Sequence, residues 1–211
     1  MVEIDMSAPV IAVNDHQSIL AAARIVADGG LVVAPTETRY GILARVDSEV
    51  AIQRLFDLKG RKVQNPTAVF VAAKSHIGRL ALVTPIAQEL SEAFLPGPLT
   101  LVLESRVDWT APLVVDGKIG IRLSSSTLIQ QLVEAVESPL TATSANLTGE
   151  PDRETITDIQ KDFGERIDLY IDGGSLTGPV STVVECVGQS YRILRAGAIS
   201  IEQIEQFAGR A

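Results

Sequence analysis

Apolar residues follow two repeating patterns along this chain. In some segments they recur every three or four residues, as Ile19, Ala23 and Val26 do before the glycine pair at 29–30, which is typical of one face of a helix. In others they follow one another without interruption, which is typical of buried strands. The patterns predict helices beginning at Asn14 or Asp15 and ending near 27, and at 48–58, 84–94, 126–137, 155–163 and 201–207. They predict strands at 31–34, 67–72, 99–103, 118–123, 140–143, 169–171, 181–187 and 192–194.

The alternation of these elements indicates an α/β fold. We expect a twisted, mostly β open sheet with helices packed on it. The irregular spacing argues against a barrel of eight equal strand and helix units. Because no repeat, low-complexity tract or linker divides the chain, we expect a single domain over residues 1–211.

The composition argues against an internal disulfide and against a zinc site. The 211 residues are 46% hydrophobic, 21% charged and 4% aromatic, which is typical of an ordinary globular chain. One cysteine, Cys186, cannot form an internal disulfide, and with two histidines it supplies too few ligands for a zinc site. The composition is still compatible with a magnesium ion bound by oxygen atoms. Acidic residues near the start and the lack of a stretch of about 20 apolar residues lead us to expect a cytoplasmic protein.

Charge is unevenly distributed along the chain. The net charge of −8 argues against a nucleic-acid binder of the usual basic kind. Residues 39–79 nevertheless contain eight basic and three acidic side chains. This segregation suggests a cationic site for a small polyanion in an acidic body. A solvated helix face is the alternative, and charge alone favours it.

Short polar segments follow the predicted strands, where open α/β sheets place their ligand sites. The common phosphate-binding signatures, G-x-x-x-x-G-K-[ST] and G-x-G-x-x-G after a strand, are not present, so neither a P-loop enzyme nor an ordinary dinucleotide binder is indicated. Taken singly, the segment at 35–41 is as compatible with a turn as with a ligand site, and the cations at 59–62 are better explained as favourable charge at a helix end. Arg122 interrupts an apolar strand and requires an anion, either a structural carboxylate or a substrate carboxylate.

Together these segments resemble the YrdC family, the threonylcarbamoyl-AMP synthases, over about residues 15–207. PTETRYG at 35–41 resembles the family's PTET-x-YG, and KGRKVQNP at 59–66 resembles KGRP-x-x-NP. Four further segments recur with similar spacing: PGPLT at 96–100, SANLTG at 144–149, STVVE at 181–185 and RILRAG at 192–197. Each motif alone is weak, but six in register are very specific. The length resembles that of the short, single-domain form.

The resemblance implies an ATP-dependent nucleotidyltransferase. It would convert L-threonine, bicarbonate and ATP to threonylcarbamoyl-AMP and diphosphate, for a threonylcarbamoyl modification of adenosine in tRNA. A tRNA-modifying threonylcarbamoyl transferase would be the downstream partner, and magnesium would accompany ATP without identified protein ligands. Lys59 and Arg61 would be catalytic. The implied ATP-binding residues are Lys59, Arg61, Asn65, Lys118, Ser144, Asn146 and Arg195. The implied threonine-binding residues are Thr36, Tyr40, Arg122, Thr143 and Ser181, with Arg122 pairing the amino-acid carboxylate.

Two other functions stay open at this point. One is a double-stranded RNA-binding module, and the other is a carbamoyl-transfer enzyme with a different acceptor. Four positions also depart from the family pattern. Arg39 and Ile42 stand where small and leucine side chains are more frequent, Lys62 replaces a proline, and Phe70 replaces a histidine near threonine. Strand alternation places Phe70 on the face opposite Val69 and Val71, and Phe70 is either a wall of the threonine pocket or part of the core.

Overall fold

The computed structural model describes residues 8–13, 16–60 and 66–208. Its strands are β1 (Val10–Ala12), β2 (Val32–Pro35), β3 (Tyr40–Leu43), β4 (Ala68–Phe70), β5 (Leu99–Glu104), β6 (Val114–Val115), β7 (Lys118–Arg122), β8 (Leu140–Ser144), β9 (Leu169–Asp172), β10 (Thr182–Val187) and β11 (Ser190–Arg195). Its α-helices are α1 (His16–Ala27), α2 (Glu49–Lys59), α3 (Lys74–Leu80), α4 (Pro85–Phe94), α5 (Thr127–Val136), α6 (Ile156–Phe163) and α7 (Ile201–Ala208). None of these helices has both the length and the apolar character needed to cross a membrane.

Side-chain caps begin three of the helices. The Ser48 hydroxyl accepts a hydrogen bond from the Ala51 amide, and Thr84 caps α4 in the same way, with Pro85 in the first turn. Thr155 caps α6. Each cap satisfies an amide at the helix start that has no partner within the helix. The predicted starts of these helices are therefore confirmed, whereas the proposed caps of α1, residues 14–15, lie outside the described residues.

One mixed sheet connects the elements, which confirms the predicted fold class. The strands are ordered β1-β9-β2-β3-β8-β4-β7-β5-β10-β11, and β6 pairs with β7 off this path. Parallel pairs such as β4/β7 and β5/β10 are interspersed with antiparallel pairs such as β5/β7 and β4/β8. Strands distant in sequence are therefore neighbours near the middle of the sheet.

Helices cover the two halves of the sheet differently. In the half containing β9, β2 and β3, one face packs against α1 and α5, and the other packs against α2 and α6. In the half containing β4, β7, β5 and β10, one face packs against α3, α4 and α7. The opposite face of that second half forms a cavity.

Four elements lie outside the sequence prediction: β1, β3, β6 and α3. The 35–41 segment, expected to be a loop, is a hairpin in which Pro35 of β2 pairs with Tyr40 of β3. The polar residues of the turn obscured the short strand β3 in the sequence. Asp116 and Gly117 have φ values of 51° and 71° and join β6 to β7 as a two-residue turn. An Asp-Gly pair is a strong signal for such a hairpin and could have revealed β6.

Candidate active site

A cavity of about 420 Å³ lies on the open face of β4, β7, β5 and β10. Strand alternation determines which side chains reach it: Phe70, Thr100 and Arg122 line the cavity, whereas Leu101 and Ile121 point into the core on the other face. The predicted face of Phe70 is therefore confirmed.

Small side chains keep the floor of this cavity open. Gly120 lies between Ala68 and Thr100, and a Cβ atom built on Gly120 would be 3.0 Å from the Ala68 Cβ and 3.6 Å from the Thr100 Cγ2. A side chain at position 120 would therefore press against β4 and also project into the cavity. Glycine at this position therefore allows both the close packing of β4 and the space for a ligand.

Eight of the twelve sequence-predicted site residues line this one cavity. They come from segments far apart in the chain: Thr36, Tyr40, Lys118, Arg122, Thr143, Ser144, Ser181 and Arg195. Two others, Arg61 and Asn65, lie outside the described residues, as does Lys62.

Lys59 and Asn146 are adjacent to the cavity lining but are not part of it. Lys59 is 2% exposed, and its ammonium donates to the Thr143 Oγ1 at 3.1 Å and to the Ser144 carbonyl oxygen. Asn146 accepts from the Ser144 hydroxyl at 2.5 Å and donates to the Glu150 carbonyl oxygen. Both side chains therefore brace the end of β8.

The hairpin between β2 and β3 is held by its own hydroxyl groups. Thr36 Oγ1 donates to the Arg39 carbonyl oxygen at 2.7 Å and accepts from the Thr38 and Arg39 amides. The Tyr40 hydroxyl donates to the Gly174 carbonyl oxygen at 2.7 Å, and burial raises its pKa to about 12. Thr36 and Tyr40 thus fix the shape of the cavity wall, and Tyr40 stays neutral at physiological pH.

Arg122 has a structural carboxylate as its anion. Its Nη2 lies 2.9 Å from the Glu37 Oε1 and donates to the Thr38 Oγ1 at 2.8 Å. The guanidinium carbon lies 5.3 Å from the centroid of the Phe70 ring, a distance typical of a cation–π contact. Ser124 donates to the other carboxylate oxygen of Glu37. The guanidinium is therefore held from several sides, while its buried Nε has no hydrogen-bond partner among the described residues.

Phe70 belongs both to the cavity and to the core. It is 1% exposed, lines the cavity beside Arg122, and packs in the apolar cluster with Leu128 and Leu132 of α5. Phe70 therefore fits both of the alternatives that the sequence left open.

A second guanidinium stands at the end of β11. Arg195 donates through Nη2 to the Ser181 Oγ at 2.9 Å and through Nε to the Ser181 carbonyl oxygen at 3.1 Å. Ser181 in turn lies 3.1 Å from the Thr100 hydroxyl. Desolvation, followed by the nearby charge of Arg122, lowers the pKa of Arg195. An anion between these two arginines would relieve that repulsion.

A charge network spans β7, β10 and β11 in the wall of the same cavity. Glu185 accepts from the Lys118 ammonium at 2.6 Å and from the Arg192 guanidinium at 3.1 Å. The hydrogen bond from Lys118 and the nearby cations lower the pKa of Glu185. A phosphate bound by Lys118 would therefore share this cation with Glu185.

Sequence reasoning missed several cavity or supporting residues: Glu37, Thr38, Arg39, Asp116, Asp152, Glu185 and Arg192. Side chains alternate between the two faces of a strand, and this alternation in β10 and β11 could have indicated that Glu185 and Arg192 face the cavity. Among the described cations of the 39–79 segment, Arg39 lines the cavity and Lys59 lies beside it, whereas Arg45 and Arg54 pair with Asp47 and Asp168. In the described part of the chain, no group of three or more His, Cys, Asp or Glu side chains could hold a metal ion.

Comparison with known sequences identifies relatives over most of the chain. A family model for Sua5, YciO and YrdC proteins, described as "Telomere recombination", matches residues 24–197. A threonylcarbamoyl-AMP synthase of Pyrococcus abyssi is 36% identical over 201 residues, covering 92% of this chain and 58% of that relative. A putative threonylcarbamoyl-AMP synthase of Methanocaldococcus jannaschii is 31% identical over 178 residues, covering 84% of each chain. The chain thus spans 58% of the length of the Pyrococcus abyssi relative, and the same share of a Bacillus subtilis relative.

Solved structures share the fold. The crystal structure of Pyrococcus abyssi Sua5 complexed with L-threonine matches with a TM-score of 0.87 at 34% identity, covering 95% of this chain and 61% of that one. Escherichia coli YciO matches with a TM-score of 0.85 over 93% of this chain and 99% of its own. At 22% identity, the YciO match establishes the fold alone.

Proposed function

Because the chain belongs to the Sua5/YciO/YrdC family, we propose that it converts L-threonine, bicarbonate and ATP to threonylcarbamoyl-AMP and diphosphate. One observation carries the proposal: eight side chains that the family resemblance assigns to substrates, from segments between residues 36 and 195, line a single cavity. A chance resemblance in short motifs would not bring them together. The acidic lining residues Asp116, Asp152 and Glu185 argue against this cavity as a surface for double-stranded RNA.

Arg122 is the proposed anchor of the threonine carboxylate. Glu37, Thr38 and Phe70 already fix its guanidinium, so threonine binding would not have to order this side chain. Its buried Nε supplies a charge-assisted donor. Thr143 and Ser181 complete the proposed threonine pocket, and Thr36 and Tyr40 hold the hairpin that forms its wall.

The nucleotide phosphates are the proposed ligands of a separate set of donors: Lys59, Arg61, Asn65, Lys118, Ser144, Asn146 and Arg195. Arg195 carries this part of the assignment best, because its guanidinium lines the cavity and lies near the charge of Arg122. Lys59 would act from beneath Thr143 and Ser144. Its ammonium would have to shift from the Ser144 carbonyl to reach a phosphate.

The proposed reaction needs positioning and charge neutralisation more than a covalent catalyst. The threonine amine attacks the bicarbonate carbon; a carbon–oxygen bond breaks, and the departing oxygen leaves as water with the amine proton. An oxygen of the resulting carbamate then attacks the α-phosphorus of ATP, and diphosphate leaves. Holding a weak, labile nucleophile against the α-phosphate accounts for most of the acceleration in such a transfer.

Magnesium fits this site only as part of the nucleotide complex. Two of the three described carboxylates that line the cavity are already engaged by cations: Glu185 by Lys118 and Arg192, and Asp152 by Arg39 at 3.6 Å, which leaves Asp116 alone and no carboxylate cluster. We therefore propose that phosphate oxygens and water hold the ion that accompanies ATP, and that no protein carboxylate cluster is needed.

A diphosphate-release assay tests the proposed function. The purified protein should release diphosphate from ATP when both threonine and bicarbonate are present, and not when either is omitted. Release with bicarbonate and an acceptor other than threonine would instead identify a different carbamoyl-transfer reaction. RNA binding without any such release would contradict the proposal.

We further propose that the product serves a cytoplasmic tRNA-modifying transferase. Threonylcarbamoyl-AMP is an activated and labile mixed anhydride, so a consuming enzyme must take it up soon after release. The support for this step is the family alone. Reconstitution of threonylcarbamoyladenosine in unmodified tRNA, with such a transferase added, is the corresponding experiment.

A further inference from the structure

Arg39 is a cavity arginine to which the family motif assigns no role, since a small side chain is more frequent at this position. Three buried side-chain atoms in the described part of the chain have no hydrogen-bond partner: Glu37 Oε1, Arg39 Nε and Arg122 Nε. Two of them belong to the β2–β3 turn, and the third belongs to Arg122 of β7, which pairs with Glu37 of that turn. Glu37 Oε1 is compensated by its ion pair with Arg122. The two guanidinium Nε atoms remain as donors that a bound anion would satisfy.

The Arg39 side chain is held at Nη1, whereas its Nε has no hydrogen-bond partner among the described residues. Its Nη1 donates to the Leu176 carbonyl oxygen at 2.6 Å. Its Nε is 3.6 Å from the Asp152 Oδ2, which is too long for a hydrogen bond. The edge of a guanidinium that carries Nε and Nη2 binds a planar oxyanion through two parallel hydrogen bonds. Arg39 thus presents a two-pronged donor beside the Arg122 pocket.

The charge at this point of the cavity selects the kind of anion. Asp152 also lines the cavity, so the Arg39 and Asp152 pair has nearly no net charge. Repulsion from Asp152 would be several times stronger for a triphosphate than for a monoanion, because the energy scales with the ligand charge. A small, planar, singly charged oxyanion therefore fits Arg39 better than phosphate.

Bicarbonate is the substrate of the proposed reaction with that chemistry, and no residue has been assigned to it. We infer that Arg39 forms a subsite for bicarbonate, and then for the carboxylate end of the threonine carbamate, next to the threonine anchored on Arg122. The inference rests on the proposed function. It gives the chain one guanidinium for each of the two carboxylate-like groups of the carbamate.

Substrate kinetics test this subsite. In Arg39→Val, we expect the KM for bicarbonate in diphosphate release to rise about tenfold, because one charge-assisted pair is lost, while the KM values for threonine and ATP change less than about twofold. Arg39→Lys keeps the charge but loses the planar edge, and should show a smaller rise. Arg106→Val is the matched control, since Arg106 is an exposed arginine that also donates to a backbone carbonyl oxygen but does not line the cavity.

The outcomes separate the alternatives. A rise confined to the KM for bicarbonate supports the subsite. A rise for ATP instead would make Arg39 a phosphate ligand, and equal rises for all three substrates would make it a tether of the Leu176 segment. Unchanged KM values in Arg39→Val would also overturn the inference.

A binding measurement keeps the subsite separate from the proposed function. Without ATP or threonine, the protein should broaden the ¹³C resonance of labelled bicarbonate, and Arg39→Val should abolish the broadening while its circular dichroism stays unchanged. If this result holds and the wild-type protein releases no diphosphate, the proposed function fails and the subsite stands. Equal broadening by both proteins, or none by either, overturns the subsite.

Discussion

The two faces of strands β4, β7, β5 and β10 have opposite properties although their residues alternate one by one. On the face packed against α3, α4 and α7, Leu101 and Ile121 are fully buried and apolar. On the other face, Thr100, Gly120 and Arg122 line the cavity. Consecutive residues of one strand therefore serve different purposes, one for stability and the next for binding. Substitutions at neighbouring positions should therefore separate effects on stability from effects on ligand binding.

The largest effect is expected from Arg122→Ala. Removal of one partner of a buried ion pair leaves Glu37 without its cation and should lower the free energy of unfolding by about 3–5 kcal/mol. The loss of the guanidinium should also weaken threonine binding by about ten- to a hundredfold. Urea unfolding and calorimetric titration with threonine measure the two effects.

A double variant separates the two roles of Arg122. Glu37→Gln combined with Arg122→Met removes both charges, so most of the stability should return. Threonine binding should stay weak. If threonine binds the double variant as tightly as it binds the wild type, Arg122 is a structural residue and not the carboxylate anchor.

On the core face, Ile121→Ala should lower the free energy of unfolding by about 2–5 kcal/mol through loss of apolar contact and creation of a cavity. The dissociation constant for threonine should stay within about twofold of the wild-type value below the unfolding transition. An affinity loss as large as that of Arg122→Ala would mean that the two faces are not energetically separable.

Phe70 contacts both the cavity and the core, so its substitution should change both stability and substrate selectivity, each by a smaller amount. Phe70→Leu keeps an apolar side chain against α5 and should cost less than about 1.5 kcal/mol of stability. It removes the ring beneath Arg122, and a cation–π contact is worth about 0.5–2 kcal/mol. We expect a severalfold decrease in the ratio of threonine to serine turnover. An unchanged ratio with a lower melting temperature would assign Phe70 to the core alone.

The smallest effect is expected at Glu185, whose pKa is lowered by Lys118 and Arg192. A carboxylate with a lowered pKa stabilises the fold above its unfolded pKa of about 4.3, and this contribution is lost as the pH falls through the folded pKa. Glu185→Gln should therefore lower stability by less than about 1 kcal/mol at pH 7, with the difference vanishing in acid. A difference that persists at pH 2 would indicate packing and not charge.

The parts of this fold that local sequence determines were predictable. Ser48 and Thr84 mark helix starts because a hydroxyl before an amphipathic segment satisfies the first amides. The face of Phe70 followed from strand alternation alone. Short strands such as β3 were hidden, since a two- to four-residue strand within a polar segment has too few positions to show a period.

The partners of the site residues were not predictable from local pattern. Glu37 and Arg122 are 85 positions apart, and their pairing depends on how β3, β8, β4 and β7 adjoin in the sheet. The sequence therefore showed that Arg122 requires an anion, but could not choose between Glu37 and a ligand. The clustering of cations at 39–79 does not show which of them reach the cavity, since Arg39 lines it whereas Arg45 and Arg54 pair elsewhere. Position along the chain is a poor guide to position around a cavity that several distant strands build.

The parallel pairing of β5 with β10 has a consequence for synthesis of the chain. Thr182 of β10 pairs with Leu99 of β5, and the strand that follows carries Arg195 into the cavity wall. A nascent chain emerging from the ribosome therefore has β5 exposed along one edge until more than eighty further residues have been translated. During this interval it offers an unpaired strand to other chains and lacks two walls of its own cavity. The cavity is therefore complete only when translation has passed residue 195.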